Sequence, residues 1–207
     1  MGSNPSETTA SNTSPFGNRA ASQSFKYVRE RFAYKSDTRP EFDYELLSMF
    51  VNHELSASLA IPLLAVIITL ASLFWSPVEE VTLWLASVLI SKGILLALCR
   101  EFKKSPRNEV DILRWRSKLI AAEFLHGVTW AGVAFISVGT QDQAAHIFLF
   151  ACVTVVIAIR MMFASTVMPI VYAGTIPLTV ALVLRFAIID TPFYWAMAAM
   201  AVGVHIY

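Results

Sequence analysis

Six long apolar runs divide this chain, separated by short polar breaks. They cover about residues 55–75, 81–99, 119–138, 145–164 and 169–189, with a sixth starting at Phe193. Each complete run is roughly 19–21 residues, the length that crosses about 30 Å of hydrocarbon at about 1.5 Å per residue. The pattern predicts an all-α fold: a polytopic membrane bundle of six transmembrane helices. Tight breaks such as Ser76-Pro77 make neighbouring helices antiparallel. Pro62 and Pro177 fall inside runs and are expected to kink them, neighbouring helices satisfying the freed carbonyls. Trp75, Trp84, Tyr194 and Trp195 are placed at the outer boundary, where amphipathic rings are favoured. The sixth run, 193–207, is only about 15 residues or roughly 22 Å of helix, with no polar anchor after it. It is expected to be a truncated span whose remainder emerges in the cytoplasm.

The polar positions ahead of the first run divide into two stretches. Residues 1–36 are rich in Ser, Thr, Asn and Ala without helical or strand period, and are expected to form a disordered cytoplasmic tail. In 37–54, Thr38-Arg-Pro-Glu41 has the form of a capping box with Pro40 in the first turn. Phe42, Leu46, Leu47, Phe50 and Val51 then recur at helical spacing, predicting a juxtamembrane amphipathic helix on the cytoplasmic interface. Residues 55–207 form the membrane module. The first run begins too late for a cleavable signal peptide and is expected to serve as an uncleaved signal anchor.

Charge orients the bundle. The tail carries Arg19, Lys26, Arg29, Arg31, Lys35 and Arg39, and the break between runs two and three carries Arg100, Lys103, Lys104, Arg107, Arg114, Arg116 and Lys118. The alternate breaks hold only Glu79, Glu80, Asp142 and Asp190. Positive residues stay on the cytoplasmic side, so the expected location is the bacterial inner membrane with a cytoplasmic N-terminus. A hydrophobic fraction of 56% and a mean hydropathy of +0.58 agree. The net charge of +1 is a polarised distribution that carries no nucleic-acid signal. Asn108 is the expected cap of a helix through Ile112 and Trp115 into run three. Arg114, Arg116 and Lys118 would then face anionic lipid, worth about 1 kcal/mol each near the surface.

Candidate chemistry is confined to charges inside the apolar runs. Lys92, Glu123 and His126 share a depth in the inner half, so Lys92 is expected to pair with Glu123 or hydrogen-bond His126. Ionisable residues at that depth mark functional sites; the competing roles are a helix–helix clamp, or snorkelling of Lys92 along its own stem. Arg160, near an inner end, is expected to anchor to lipid phosphate, and Arg185 to reach outer headgroups or pair with Asp190, Glu79 or Glu80. The run 160–172 has almost no polar loop, and its Ser165, Thr166 and Pro169 predict a tight or partly unwound turn. Cys99 and Cys152 lie inside apolar runs, and the four His and two Cys show no paired ligand spacing, so neither a disulfide framework nor a metal site is expected. No phosphate-binding loop, nucleophile elbow or HExxH motif is present.

Three stretches, 25–40, 160–172 and 193–207, together resemble the membrane-embedded N-terminal region of alphaproteobacterial, rhizobial-type sensor histidine kinases of the PleC/DivJ kind. The resemblance runs from about residue 25 to the end and rests on whole segments rather than a catalytic motif. It implies a homodimeric sensory or anchoring input region of a two-component system. A kinase core absent from this chain would use ATP and Mg and pass phosphate to a cytoplasmic response regulator. No residue here inherits a catalytic role, and no cofactor belongs to this part. The same sort of module could precede a diguanylate cyclase or phosphodiesterase. A small transporter, which predicts inverted repeats around a midplane site, fits less well, since no internal repeat is visible.

Overall fold

The computed structural model describes residues 40–107, 110–136, 142–164 and 167–206. Among these the chain is all-helical: α1 (Pro40–Ser56), α2 (Ala60–Ser72), α3 (Val78–Lys104), α4 (Ile112–Ala131), α5 (Gln143–Ala164), α6 (Met168–Ile189) and α7 (Pro192–Ile206). A 3-10 turn, Gly132–Phe135, prolongs α4. Three helices are long and apolar enough to cross a membrane: Val78–Lys104, Gln143–Met162 and Met168–Ile189. Phe42–Ser56 and Ala60–Ser72, bent by 47°, make a fourth if they count as one span. The chain is therefore a membrane-embedded helical protein with three or four such helices. Six crossings do not follow from length and composition, because α4 carries Arg114, Arg116, Lys118 and Glu123 and α7 has 15 residues. The expected tail lies outside the described residues.

Local chemistry accounts for the helix ends. α3 begins after Pro77, with Glu79 and Glu80 in its first turn and Lys103 and Lys104 in its last. Those charges oppose the partial charges of the helix termini. At 27 residues, or about 40 Å, α3 outreaches the hydrocarbon and carries both charged ends clear of it. Asp111, not Asn108, caps α4: its Oδ1 accepts from the Arg114 N–H at 3.2 Å. Asn108 lies outside the described residues. α6 ends on Asp190 in the left-handed region (φ 51°), a conformation Asp tolerates better than most residues. The first expected run is bent by 47° at the break just before Pro62, in line with the expected kink. Pro62 sits in the first turn of α2, where a missing N–H costs nothing.

Residues 40–56 are helical as expected, but the apolar stripe does not face lipid. Leu47, Phe50 and Val51 are buried in a cluster with Leu95, Cys99, Phe102, Trp115, Leu119 and Ile170. α1 therefore packs along the basic half of α3 and α4 and continues, after the bend, into α2. There Ile61, Ala65 and Ile68 join a second cluster with Val81, Trp84, Val88, Trp130 and Leu178.

α6 is the central helix, in contact with α4, α5 and α7. Its closest approach is to α4, where a Cβ on Gly127 would lie 2.6 Å from the Gly174 carbonyl oxygen. Only glycine at 127 lets these backbones meet, as small residues do at helix crossings in membranes.

The boundary aromatics divide. Trp195 is exposed and donates to Asp190 Oδ1 at 3.0 Å. Trp84 and Tyr194 turn inward: Trp84 Nε1 donates to Thr129 O at 3.0 Å, and Tyr194 Oη lies 2.7 Å from His146 Nδ1. A buried indole or phenol usually finds such a partner; Trp130 Nε1 is buried without one among the described residues.

Candidate functional site: a buried polar layer

Between the two apolar clusters lies a layer of charged and polar side chains. One cluster stops on α3 at Val88 and the other resumes at Leu95; on α4 the corresponding limits are Trp130 and Ala122. Into that gap project Ser91 and Lys92 from α3, Glu123 and His126 from α4, Glu54 from α1 and Arg160 from α5, all buried.

Lys92 forms its ion pair with Glu54, not with Glu123 or His126. Glu54 follows Leu47, Phe50 and Val51 on one helical face (i, i+3, i+4, i+7), so the fold that buries the stripe carries the carboxylate inward to the ammonium. Glu123 pairs with Arg160, whose Nη2 donates to Oε1 at 2.6 Å. Arg160 Nη1 donates to the Gly174 carbonyl at 3.3 Å, tying α4, α5 and α6 together. Arg160 is 3% exposed and does not anchor to lipid. Although it lies in the last turns of α5, α1 and the start of α6 extend the packed core beyond it, through Leu47, Phe50, Val167 and Ile170.

His126 takes a third set of partners. Its Nδ1 is 2.8 Å from Ser91 Oγ, which also lies 2.8 Å from Thr129 Oγ1 and donates to Val88 O at 3.0 Å. Thr129 Oγ1 in turn donates to the His126 carbonyl at 2.8 Å. The three expected residues share a layer, but each has its own partner.

Two carboxylates and two cations leave the layer electrically balanced, the condition under which buried charge is tolerated. Its hydrogen bonding is incomplete: among the described residues, Glu123 Oε2, Arg160 Nε and His126 Nε2 are buried without a bond. The Arg160–Glu123 contact is thus single-pointed, while guanidinium and carboxylate can also meet through two parallel bonds. A contact through the Nε–Nη2 edge to both oxygens would satisfy two of those atoms at once.

A separate polar contact joins α6 to α7. On α6, Thr179 lies one turn beyond Thr175, and its Oγ1 is 3.2 Å from His205 Nδ1 of α7; the His205 ring stands 5.9 Å from that of Tyr172. The remaining predicted residues lie apart. Arg185 is half-buried toward the far end of α6, and Arg114, Arg116 and Lys118 occupy the basic end of α4, Lys118 standing 4.5 Å over the Trp115 ring. Residues 165 and 166, at the expected unwound turn, are outside the described set; α5 runs to Ala164 and α6 starts at Met168. Cys99 and Cys152 are free thiols within helices.

These features define a membrane-embedded helical bundle with a charge-balanced polar layer in its core. No protein family, curated protein or solved structure matches the chain.

Proposed function

We propose that this chain is the membrane-embedded sensory and anchoring input module of a two-component sensor histidine kinase, with six crossings, a cytoplasmic N-terminus and a homodimeric assembly. The observation that carries the reading is the polar layer. Its ion pairs join α1 to α3 and α4 to α5, Arg160 also bonds the α6 backbone, and a separate Thr179–His205 contact joins α6 to α7. In this reading a change in helix packing moves α7, through which a cytoplasmic kinase core is reached. A stimulus acts by binding one arrangement of the layer more tightly than another. This chain supplies no catalytic residue; ATP, Mg and the response regulator belong to the core.

The test is the locus and its full-length product. The reading frame past Tyr207 is expected to encode a dimerisation domain with a phosphoacceptor histidine and an ATP-binding domain. The full-length protein in membranes is expected to autophosphorylate from radiolabelled ATP, at a level altered by Glu123→Gln. A cyclase or phosphodiesterase domain at that position would replace the kinase reading while keeping the input role. A stop codon directly after Tyr207 in an intact, expressed gene would overturn both.

A further inference from the structure

At the basic end of the bundle, α1, the first turns of α4 and the start of α6 line a half-open cavity of about 140 Å³. Its walls include Leu46, Leu47, Ile112 and Met168, and two opposite charges stand on it, Asp43 and Arg116. Both charged side chains are half-buried, and among the described residues neither belongs to an ion pair. Pockets that engulf a small soluble ligand measure about 300–1,000 Å³. This one has room only for part of a larger molecule. Met168 on its wall is 60% exposed, an apolar rim suited to acyl chains rather than to water.

We propose that the cavity seats one phospholipid whose headgroup carries a free primary ammonium beside the phosphate, as in phosphatidylethanolamine. Arg116 binds the phosphate, a geometry that guanidinium matches with paired N–H donors. The Asp43 carboxylate accepts from the ammonium, and the upper acyl carbons lie against Leu46, Ile112 and Met168. A lipid with only negative charge would set that charge against Asp43, and a trimethylated headgroup has no N–H to donate to it. The inference needs the bundle to sit in a bilayer and is independent of the sensory reading, so a failed kinase assay leaves it standing.

The 207-residue chain would be reconstituted in bilayers of equal parts dioleoyl phosphatidylethanolamine, phosphatidylglycerol and phosphatidylcholine. It would then be extracted in mild detergent, and the retained lipid counted per chain by mass spectrometry. Phosphatidylethanolamine is expected in excess over the other two. Arg116→Ala is expected to lower its retention about fivefold, the equivalent of about 1 kcal/mol. Asp43→Asn is expected to keep phospholipid but erase the preference over phosphatidylcholine. Lys103→Ala, an exposed cation away from the cavity, is expected to change nothing. Lipids retained in bulk proportion, a preference for phosphatidylglycerol, or an Asp43→Asn protein of native helix content that still selects phosphatidylethanolamine would each overturn the proposal.

Discussion

Removing Arg160 isolates the Glu123 carboxylate in the core, and the size of that effect follows from the geometry. Arg160 and Glu123 are 3% and 2% exposed and share a 2.6 Å contact. Breaking a buried pair by deleting one partner costs about 3–5 kcal/mol, because the other charge stays desolvated. That is about two to three and a half orders of magnitude in the folding equilibrium. Replacing both members by apolar groups of similar volume is often neutral, since the desolvation cost disappears with the attraction. Arg160→Met and Glu123→Leu are therefore each expected to be strongly destabilising. The double variant is expected to recover most of the loss, a non-additivity of at least about 2 kcal/mol, within the range found for residues in direct contact. Unfolding in a denaturing-detergent titration, followed by the buried Trp130 and Trp84 fluorescence and by helix content, measures all four proteins. If Arg160→Met costs less than about 1 kcal/mol, as for an exposed ion pair, or the two losses simply add, the buried pair is refuted.

The same titration separates the glycines. Gly127→Ala would press a Cβ to 2.6 Å from backbone oxygen and Gly174→Ala one to 2.8 Å from Glu123 Oε1. Both are expected to cost about 1–3 kcal/mol, whereas Gly93→Ala, with nothing within 4 Å, is expected to be neutral or to gain up to about 1 kcal/mol of helix stability. Equal losses at all three positions would refute the α4–α6 crossing. Lys92→Met is expected to destabilise by about 3–5 kcal/mol and to be rescued by Glu54→Gln rather than by Glu123→Gln; rescue by Glu123→Gln instead would restore the pairing inferred from depth alone.

How the helices lie along the chain is legible in the sequence because lipid leaves the backbone no choice: every N–H and C=O must bond internally, so each long apolar run becomes a helix. Starts and ends fall close to the expected breaks at Pro77 and Asp190, where Pro and a left-handed Asp stop the pattern locally, but the break at 57–59 falls inside the first expected run. Depth is legible too, since about 1.5 Å per residue places Lys92, Glu123 and His126 in one layer. Partners are not, because a charge at a given depth meets whatever neighbouring helix rotates toward it. Glu54 was hidden at the end of a stripe that reads equally well as a surface helix, and Arg160 at a helix end that reads as a lipid anchor. Tertiary packing decided both: α1 covers the basic end and pushes the core's boundary outward, and the Gly127–Gly174 contact brings α6 close enough for Arg160 to bridge Glu123 and the α6 backbone.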